Sequence, residues 1–429
     1  IAHVHDGHET HRVVRPLLDL STIEAAAKRV GQAAVPTPLE HNKRLSELYD
    51  ATILVKREDL QPVRSFKIRG AYNKISLLDK AAREKGVVCS SAGNHAQGVA
   101  YACSHHNIHG TIFMPSPTPQ QKVSQVAMFG GDKVTIKLVG DTYDDCYEAA
   151  KAYVADTGKT FIHPFDDPDV IAGQATMALE IIEQATVPIE YIIVPIGGGG
   201  LISGIISVFK QKSPHTKFIG VEPKGAPSMY QSLQEKKRIR LDSIDVFVDG
   251  AAVKTIGEYG FDYCTQYLED LLLVDEGEIC QNLLNMYTYD AVVVEPAGAM
   301  SVSALSQLSA DIKGKNVVCL VCGGNNDITR MAEIKERALL FNNLKHYFIV
   351  RFPQRAGALK EFVQDILGPT DDITFFEYSK KSARSQGPAV VGIQIKSVDD
   401  FKPLLNRMKE KGFFGDYLNN KPDLFQFLI

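Results

Sequence analysis

Cysteine is scarce in this sequence, and long hydrophobic runs are missing. Seven cysteines in 429 residues are too few for a disulfide framework, and their odd number argues further against one. The longest apolar runs, at 191–196 and 317–321, have the length of buried strands and fall short of the roughly 18 residues that a membrane-spanning helix needs. These absences exclude a disulfide-stapled domain, and we expect no membrane partner.

An excess of positive charge is also missing. The chain has 47 Lys and Arg against 51 Asp and Glu, a formal net charge of −4, and no large basic block. Nothing electrostatic therefore points to a nucleic-acid partner. With 45% hydrophobic and 23% charged residues, the composition is typical of a globular protein. At about 150 residues per domain, the length predicts two or three domains.

The start of the chain is polar and rich in histidine, without an apolar segment of signal-peptide type. We therefore expect a cytoplasmic protein. His3, His5, His8 and His11 could in principle bind a metal ion, but nothing nearby would orient their rings. A flexible terminus is the preferred interpretation, and we expect no metal site.

Helical patterns alternate with short β-branched runs over residues 21–340. Strands are predicted at Ala51–Lys56, Gly86–Cys89, Gly110–Met114, Lys133–Leu138, Tyr191–Ile196, Lys217–Val221, Leu271–Val274 and Asn316–Val321. Helices lie between most of them, for example at Asn94–His105, Tyr143–Thr157 and Leu201–Lys212. Because parallel neighbours need crossover helices, this alternation predicts an α/β fold with a largely parallel sheet.

The pattern changes near Phe341. Strand, helix, two strands, helix and strand are predicted in turn at His346–Phe352, Ala358–Leu367, Asp372–Lys380, Pro388–Lys396, Asp399–Lys411 and Leu424–Ile429. This βαββαβ order is typical of a ferredoxin-like α+β domain. We place the boundary in a short linker, with one domain at 1–343 and a second at 344–429.

Four consecutive glycines, Gly197–Gly200, follow an apolar strand and lead into a helix. Bare backbone amides and the helix dipole at such a junction favour an anion. The dinucleotide fingerprint fails because Ile202 occupies the place of its last glycine, and no Gly-Lys-Ser/Thr follows to make a nucleotide P-loop. The pattern favours a phosphate monoester, with a merely tight strand–helix turn as the alternative.

Two further segments carry groups suited to chemistry. In Ser90–Gly98, the backbone amides and the Ser91 hydroxyl could hold a carboxylate, and Asn94 offers both a donor and an acceptor. The alternative is an Asn/Ser helix cap without a ligand. Lys67 stands between two apolar residues, where partial desolvation would lower its pKa and suit Schiff-base chemistry. Most lysines are solvated surface residues, so these features alone do not select Lys67.

Three motifs, in this order, closely resemble the signature of fold-type II pyridoxal-phosphate enzymes: Ser65–Ala71, Ser91–Gly98 and Gly197–Gly200. The likeness extends over about residues 35–337, and the Ser-Phe-Lys-Ile-Arg-Gly run is similar to that of the dehydratase branch. The resemblance implies pyridoxal 5′-phosphate as the cofactor. It also implies a twisted, mostly parallel sheet in two subdomains, with the smaller one inserted at roughly 59–163.

The resemblance implies roles for individual residues. Lys67 would carry the cofactor covalently and transfer the Cα proton of the substrate. The other cofactor-binding residues would be Phe66, Asn94, Gly197, Gly198, Gly199, Gly200, Leu201 and Cys322. The substrate-binding residues would be Ser91, Ala92, Gly93, Asn94 and His95.

The chain departs from the family pattern at three places. Cys322 stands where the family usually has a serine or threonine beside the pyridine nitrogen, and a thiol is a weaker hydrogen-bond partner. It forms a C-x-x-C with Cys319, but no second pair completes a zinc site. Ala92 replaces the serine that serine racemases of this fold use as a second base, so we expect poor racemisation. Related enzymes hold a divalent cation near a Glu-Pro segment, but here Ser228 replaces the aspartate that follows Glu222, so we expect no metal.

The C-terminal domain resembles the amino-acid-binding ACT type. Arg355, Gly357, Ala358 and Leu359 form a strand–loop–helix junction, where a glycine would let an effector carboxylate approach the backbone. A dimerisation module with an ordinary loop is the alternative. The resemblance implies isoleucine and valine as effectors and a homotetramer.

The implied activity is deamination of L-threonine, with L-serine as a second candidate substrate. Threonine would give 2-oxobutanoate and ammonia, at the start of isoleucine biosynthesis. A degradative threonine/serine dehydratase would carry the same catalytic motifs, but its activity would not change when isoleucine is added. A β-replacement enzyme or threonine synthase is disfavoured by the Ser-Phe-Lys-Ile-Arg-Gly run, and a catalytically dead sensor has no need of Lys67.

Overall fold

The computed structural model describes residues 14–378 and 386–421, together with Asp423 and Leu428. The histidine-rich start of the chain lies outside the described residues. So do nearly all of the strand predicted at Leu424–Ile429 and the last two residues of the strand predicted at Asp372–Lys380. The chain divides into two compact units, Ile1–Asn326 and Asp327–Ile429.

The N-terminal unit alternates strands and helices. Its strands are β1 (Leu39–His41), β2 (Thr52–Arg57), β3 (Val87–Ser90), β4 (Gly110–Met114), β5 (Val134–Leu138), β6 (Thr160–Phe161), β7 (Tyr191–Pro195), β8 (Lys217–Pro223), β9 (Leu268–Val274) and β10 (Asn316–Val321). Its α-helices are α1 (Leu20–Val30), α2 (Lys43–Tyr49), α3 (Lys67–Ser76), α4 (Lys80–Lys85), α5 (Asn94–His106), α6 (Gln120–Gly130), α7 (Tyr143–Thr157), α8 (Pro168–Gln184), α9 (Gly200–Lys212), α10 (Ser228–Glu235), α11 (Glu258–Tyr267), α12 (Glu276–Asp290), α13 (Met300–Ser303) and α14 (Leu305–Leu308). None of the helices that the structure describes combines the length and the apolar content required to cross a bilayer.

These strands form two sheets, and the predicted α/β class is confirmed. The larger sheet has the order β1-β2-β10-β7-β8-β9, and only its β1–β2 pair is antiparallel. The smaller sheet has the order β5-β4-β3-β6 and is parallel throughout. The sequence did not predict β1 and β6, which are three and two residues long, because such short segments carry no readable periodicity.

Helix α8 packs closely against both α3 and α9 because small residues line the crossings. A Cβ on Gly173 would lie 2.3 Å from the carbonyl oxygen of Arg69, and one on Gly204 would lie 2.7 Å from the backbone nitrogen of Ala175. Neither position has room for a side chain. The N-terminal end of α3, where Lys67 lies, is therefore held at a fixed distance from the core of the larger sheet.

The C-terminal unit is an antiparallel sheet with helices. Its strands and α-helices are α15 (Met331–Phe341), β11 (Lys345–Pro353), α16 (Ala358–Glu361), β12 (Asp372–Tyr378), β13 (Gln386–Gln394), α17 (Phe401–Glu410) and β14 (Phe414–Tyr417). Phe362–Ile366 continues α16 as a π-helical turn. The strand order β12-β13-β11-β14 is that of a βαββαβ unit, so the predicted ferredoxin-like class is confirmed.

Two details of this unit differ from the sequence prediction. Phe414–Tyr417 forms a strand that the sequence pattern did not predict, because Gly412, with φ of 78°, turns the chain back directly after α17. The compact unit also begins at Asp327, whereas the sequence pattern places the boundary at 343–344. The reason is that α15 belongs with the sheet: Glu336 accepts hydrogen bonds from Lys345 and Tyr347.

Candidate active site

Lys67 is the first residue of α3 and lies beside the loop that follows β10. The backbone amide of Phe66 donates to the carbonyl oxygen of Cys322 at 3.1 Å. Lys67 Nζ donates to the carbonyl oxygen of Pro164 at 3.0 Å. Burial lowers the pKa of Lys67 to about 8, while the nearby carboxyl of Glu295 opposes that shift. More of this amine is neutral near pH 7 than of an exposed lysine, which suits a nucleophile or a base.

The four glycines form the turn between β7 and α9. Gly199, with φ of 100°, occupies the position just before the helix. A Cβ on Gly198 would lie 2.1 Å from the ring of Phe165, and one on Gly199 would lie 2.9 Å from the Cα of Gly260. The carbonyl oxygen of Gly198 accepts from the amide of Gly257 at 2.9 Å. The turn has no room for side chains there, so it presents backbone amides at the start of a 13-residue helix.

Asn94, the first residue of α5, belongs to a closed ring of hydrogen bonds with Glu295 and Asn325. Asn94 Nδ2 donates to Glu295 Oε1 at 2.8 Å, and Asn325 Nδ2 donates to Asn94 Oδ1 at 2.7 Å. The backbone amide of Asn325 donates to Glu295 Oε2 at 3.0 Å. Burial raises the pKa of Glu295 to about 7, with the charge of Asp249 adding to the rise.

Ser91, Ala92 and Gly93 form the turn between β3 and α5. Ser91 Oγ accepts from the backbone amides of Gly93 at 3.1 Å and of Ala96 at 3.3 Å, so this hydroxyl caps the start of the helix. Ala92 packs against the hydrophobic core of the smaller sheet. A Cβ on Gly93 would meet no atom within 4 Å, so a small ligand has room beside the turn.

The imidazole of His95 is committed to the main chain. His95 Nε2 lies 2.8 Å from the carbonyl oxygen of Ile162. Burial, with a smaller effect from the charge of Lys67, lowers the pKa of His95 to about 3. The ring is therefore neutral at physiological pH, and it is the backbone of His95 that stands at the turn.

The remaining residues predicted to bind the cofactor are apolar or neutral. The ring centroid of Phe66 lies 5.4 Å from Lys67 Nζ, and Leu201 belongs to the hydrophobic core of the larger sheet. Burial raises the pKa of the Cys322 thiol well above its ordinary value, so that thiol is neutral. Burial also raises the pKa of Cys319, to about 12, and both cysteines are free thiols.

Sequence reasoning missed Glu295 and Pro164. Glu295 directly follows the apolar run 292–294 and precedes a proline, and an acid at the end of such a run is the signal that could have found it. It is 201 residues from Asn94 in the sequence, so their contact could not be read from spacing. Pro164 contributes a backbone carbonyl, for which side-chain patterns carry no signal.

Glu222 caps a helix. Its carboxylate accepts from the backbone amides of Met229 and Tyr230, both at 2.8 Å, at the start of α10. Burial raises the pKa of Glu222 to about 8, while these two bonds oppose the rise. The acid that sequence comparison associates with a cation in related enzymes is thus bound to main-chain donors.

The predicted effector loop of the C-terminal unit is open on its outer side. Gly357, with φ of 84°, stands just before Ala358, the first residue of α16. A Cβ on Gly357 would meet no atom within 4 Å. Arg355 forms an ion pair with Glu361, and Leu359 is 51% exposed, so the loop combines a charged group with an apolar side chain on the surface.

Two families match this chain. Residues 30–323 match the family described as "Pyridoxal-phosphate dependent enzyme", and residues 336–428 match the "C-terminal regulatory domain of Threonine dehydratase". Among solved structures, a processed threonine deaminase isoform 2 from Solanum lycopersicum is similar, with a TM-score of 0.69 and 37% identity. That match covers 77% of this chain and 99% of the other.

Curated relatives match over nearly the whole chain. The L-threonine dehydratase biosynthetic IlvA of Bacillus subtilis is 54% identical over 413 residues, which are 96% of this chain and 98% of that protein. The protein of the same name from Halalkalibacterium halodurans is 52% identical, over 96% of this chain and 99% of its own length. The chain therefore belongs to the pyridoxal-phosphate-dependent enzymes and, among them, to the biosynthetic L-threonine dehydratase family.

Proposed function

We propose that this protein converts L-threonine to 2-oxobutanoate and ammonia, as the first committed step of isoleucine biosynthesis. The observation that supports this most directly is a partly buried amine, Lys67, held at 3.0 Å from a main-chain carbonyl at the junction of the motif loops. The names of the relatives supply the substrate. The reaction loses one water between Cα and Cβ and takes up one water when ammonia is released, so its atoms balance.

The residues at the site fit pyridoxal phosphate. The turn Gly197–Gly200 offers bare amides at a helix start to a phosphate, and Lys67 offers a partly neutral amine to an aldehyde. Asn94 and Cys322 offer neutral side chains to a ring. When bound, the cofactor supplies an electron sink that stabilises negative charge at the substrate Cα.

The chain's own groups would supply binding and proton transfer. Lys67, with a pKa of about 8, is suited to take the Cα proton near neutral pH. The turn Ser91–His95, with open space beside Gly93, is suited to receive the substrate carboxylate through its backbone amides. Ala92 offers no second base, which favours elimination over racemisation.

The partners and location follow from the same proposal. L-Threonine is the preferred substrate and L-serine the second candidate. Isoleucine and valine act as effectors at Arg355, Gly357, Ala358 and Leu359, and the active form is a cytoplasmic homotetramer. Support for regulation comes from the match of residues 336–428 to a regulatory domain.

The deciding experiment measures 2-oxo acid formation by the full chain from L-threonine and L-serine, with and without isoleucine and valine. We expect 2-oxobutanoate from threonine and inhibition by isoleucine. Activity that isoleucine leaves unchanged would favour the degradative dehydratase, and no 2-oxo acid from either substrate would refute the proposal.

The rate at which the apoprotein incorporates pyridoxal phosphate is expected to rise with pH and to level off above about pH 8. The neutral amine is the nucleophile, and the pKa of Lys67 is lowered to about 8 from the ordinary 10.5. Stopped-flow absorbance measures this rate, with N-acetyl-lysine as the control, whose reaction should keep rising towards pH 10. A protein profile that tracks N-acetyl-lysine would contradict the assignment.

Gly199→Ala is expected to raise the dissociation constant of the cofactor by about tenfold or more. The substitution places a Cβ at a φ of 100° and 2.9 Å from the Cα of Gly260, and such strain costs about 1–3 kcal/mol. Gly131→Ala is the control, because Gly131 also has positive φ, 57°, but open space around it. Equal cofactor affinity in the two variants would mean that the close packing of the glycine turn does not matter.

Gly357→Ala is expected to weaken inhibition by isoleucine about fivefold while leaving uninhibited activity unchanged. The φ of 84° strains any other residue there, and a Cβ would obstruct a carboxylate approaching the loop. Gly412→Ala is the control in the same unit, with φ of 78° and equally open surroundings. Isoleucine titrations of the two variants should differ, and matching titrations would remove the loop from the effector site.

A further inference from the structure

The hydrogen-bond ring of Asn94, Asn325 and Glu295 has only one consistent direction. The carbonyl oxygen of Val63 can only accept, and it lies 2.9 Å from the side-chain amide of Asn325. That contact identifies the Asn325 group as its nitrogen, Nδ2. The same nitrogen lies 2.7 Å from the Asn94 side chain, so the Asn94 atom facing it is the acceptor, Oδ1.

The contacts of Glu295 agree with this orientation. The backbone amide of Asn325 can only donate, and Glu295 Oε2 accepts it at 3.0 Å. With Asn94 Oδ1 facing Asn325, the Asn94 atom that lies 2.8 Å from Glu295 Oε1 is Nδ2, which can only donate, so both oxygens of Glu295 act as acceptors. The contact with Val63 thus fixes the Asn94 amide, and the carboxyl of Glu295 holds it there.

This orientation determines what Asn94 offers to a ligand. Its Nδ2 carries two hydrogens, and the bond to Glu295 uses one of them. We propose that Glu295 is a positioning residue that holds Asn94 so that its second N–H, rather than its oxygen, is presented to the ring hydroxyl of pyridoxal phosphate. The inference rests on the proposed function, because it requires that cofactor. A phenolic oxygen that has lost its proton accepts such a donor and repels an amide oxygen.

Glu295→Gln tests this with almost no change in shape. Glu295 accepts from two donors, but a glutamine has only one acceptor oxygen. If that oxygen stays with the backbone amide of Asn325, the glutamine NH2 group faces Asn94 Nδ2, and two donors meet. If the Asn94 amide turns over to avoid this, its NH2 group meets the NH2 group of Asn325 instead. Glu295→Asp keeps both acceptors and serves as the conservative variant. Glu222→Gln is the matched control, since Glu222 is equally buried and accepts two main-chain amides outside the ring.

The measurement is the dissociation constant of two ligands from each apoprotein: pyridoxal phosphate and its 3-deoxy analogue, which lacks the ring hydroxyl. We expect Glu295→Gln to weaken pyridoxal phosphate by about tenfold or more and the analogue by less than twofold. Glu295→Asp should show a smaller loss with the same preference, and Glu222→Gln should leave both constants unchanged.

Three results would overturn the proposal. Equal weakening of both ligands by Glu295→Gln would show a merely structural carboxylate, and unchanged binding would show no role. The same ligand preference in Glu222→Gln would show a general effect of losing a buried acid.

If circular dichroism shows that Glu295→Gln is unfolded, Glu295→Asp decides by the same two dissociation constants. A wild-type apoprotein that binds no pyridoxal phosphate would refute the proposed function instead, which keeps the two failures distinct.

Discussion

Lys67→Ala is expected to leave a folded protein that forms 2-oxo acid at least about 10²–10⁴-fold more slowly than the wild type. The amine is the group proposed both to hold the cofactor covalently and to move the Cα proton, and alanine can do neither. The variant should also lack the visible absorption of covalently held cofactor. Absorbance spectra before and after borohydride, with the 2-oxo acid assay, measure both effects.

Lys74→Ala is the matched control on the same helix. Lys74 forms ion pairs with Asp167 at 3.0 Å and Asp169 at 3.2 Å, at the start of α8. It should retain colour and activity. The contrary result is a Lys67→Ala protein that stays yellow, with borohydride still attaching the cofactor covalently to the chain. That result would place the reactive amine at another residue and refute the assignment of Lys67.

Arg69→Met is expected to lower the free energy of unfolding by about 3–5 kcal/mol. Arg69 is 1% exposed and donates to both oxygens of Glu58, at 2.6 and 3.0 Å, and to both oxygens of Glu180, at the same two distances. Removing the guanidinium leaves Glu58, which is fully buried, without the charge that compensates it. The remaining cation, Lys56, already donates to Glu180 at 2.8 Å.

The substitution should also weaken cofactor binding, because Arg69 stands two residues after Lys67 in the first turn of α3. Urea unfolding followed by circular dichroism, together with cofactor affinity, measures the two effects. Lys43→Met is the control: its ion pair with Glu47 has side chains 85% and 70% exposed, and such pairs contribute only about 0–1 kcal/mol. Equal unfolding midpoints for the two variants would show that the Arg69 cluster does not anchor the helix.

Sequence patterns predicted the parts of the candidate site whose chemistry depends on residues adjacent in the sequence. The turn Gly197–Gly200 could be identified because consecutive glycines after an apolar strand expose amides wherever the chain runs next. Lys67 could be selected only through the family resemblance, because a lysine between apolar residues is locally like many others. Its lowered pKa depends on burial by distant segments, including Pro164, 97 residues further along the chain.

Hydrophobic periodicity did not predict the shortest elements or the unit to which each helix belongs. The strand Phe414–Tyr417 is only four residues long, and the sequence did not predict it. Helix α15 was assigned to the N-terminal domain, although Glu336 binds Lys345 and Tyr347 on β11. Hydrophobic periodicity identifies an element but does not say which unit it packs with.

The sequence by itself determined the α/β class, the ferredoxin-like second unit and the bare glycine turn, because the patterns that predict each of them lie in residues close together in the chain. Only the tertiary structure decided that Asn94, Glu295 and Asn325 close a ring and that Glu58 and Glu180 share Arg69. Those contacts join residues up to 231 positions apart. Their geometry follows from how helices pack on sheets, so it cannot be predicted from the spacing of these residues along the chain.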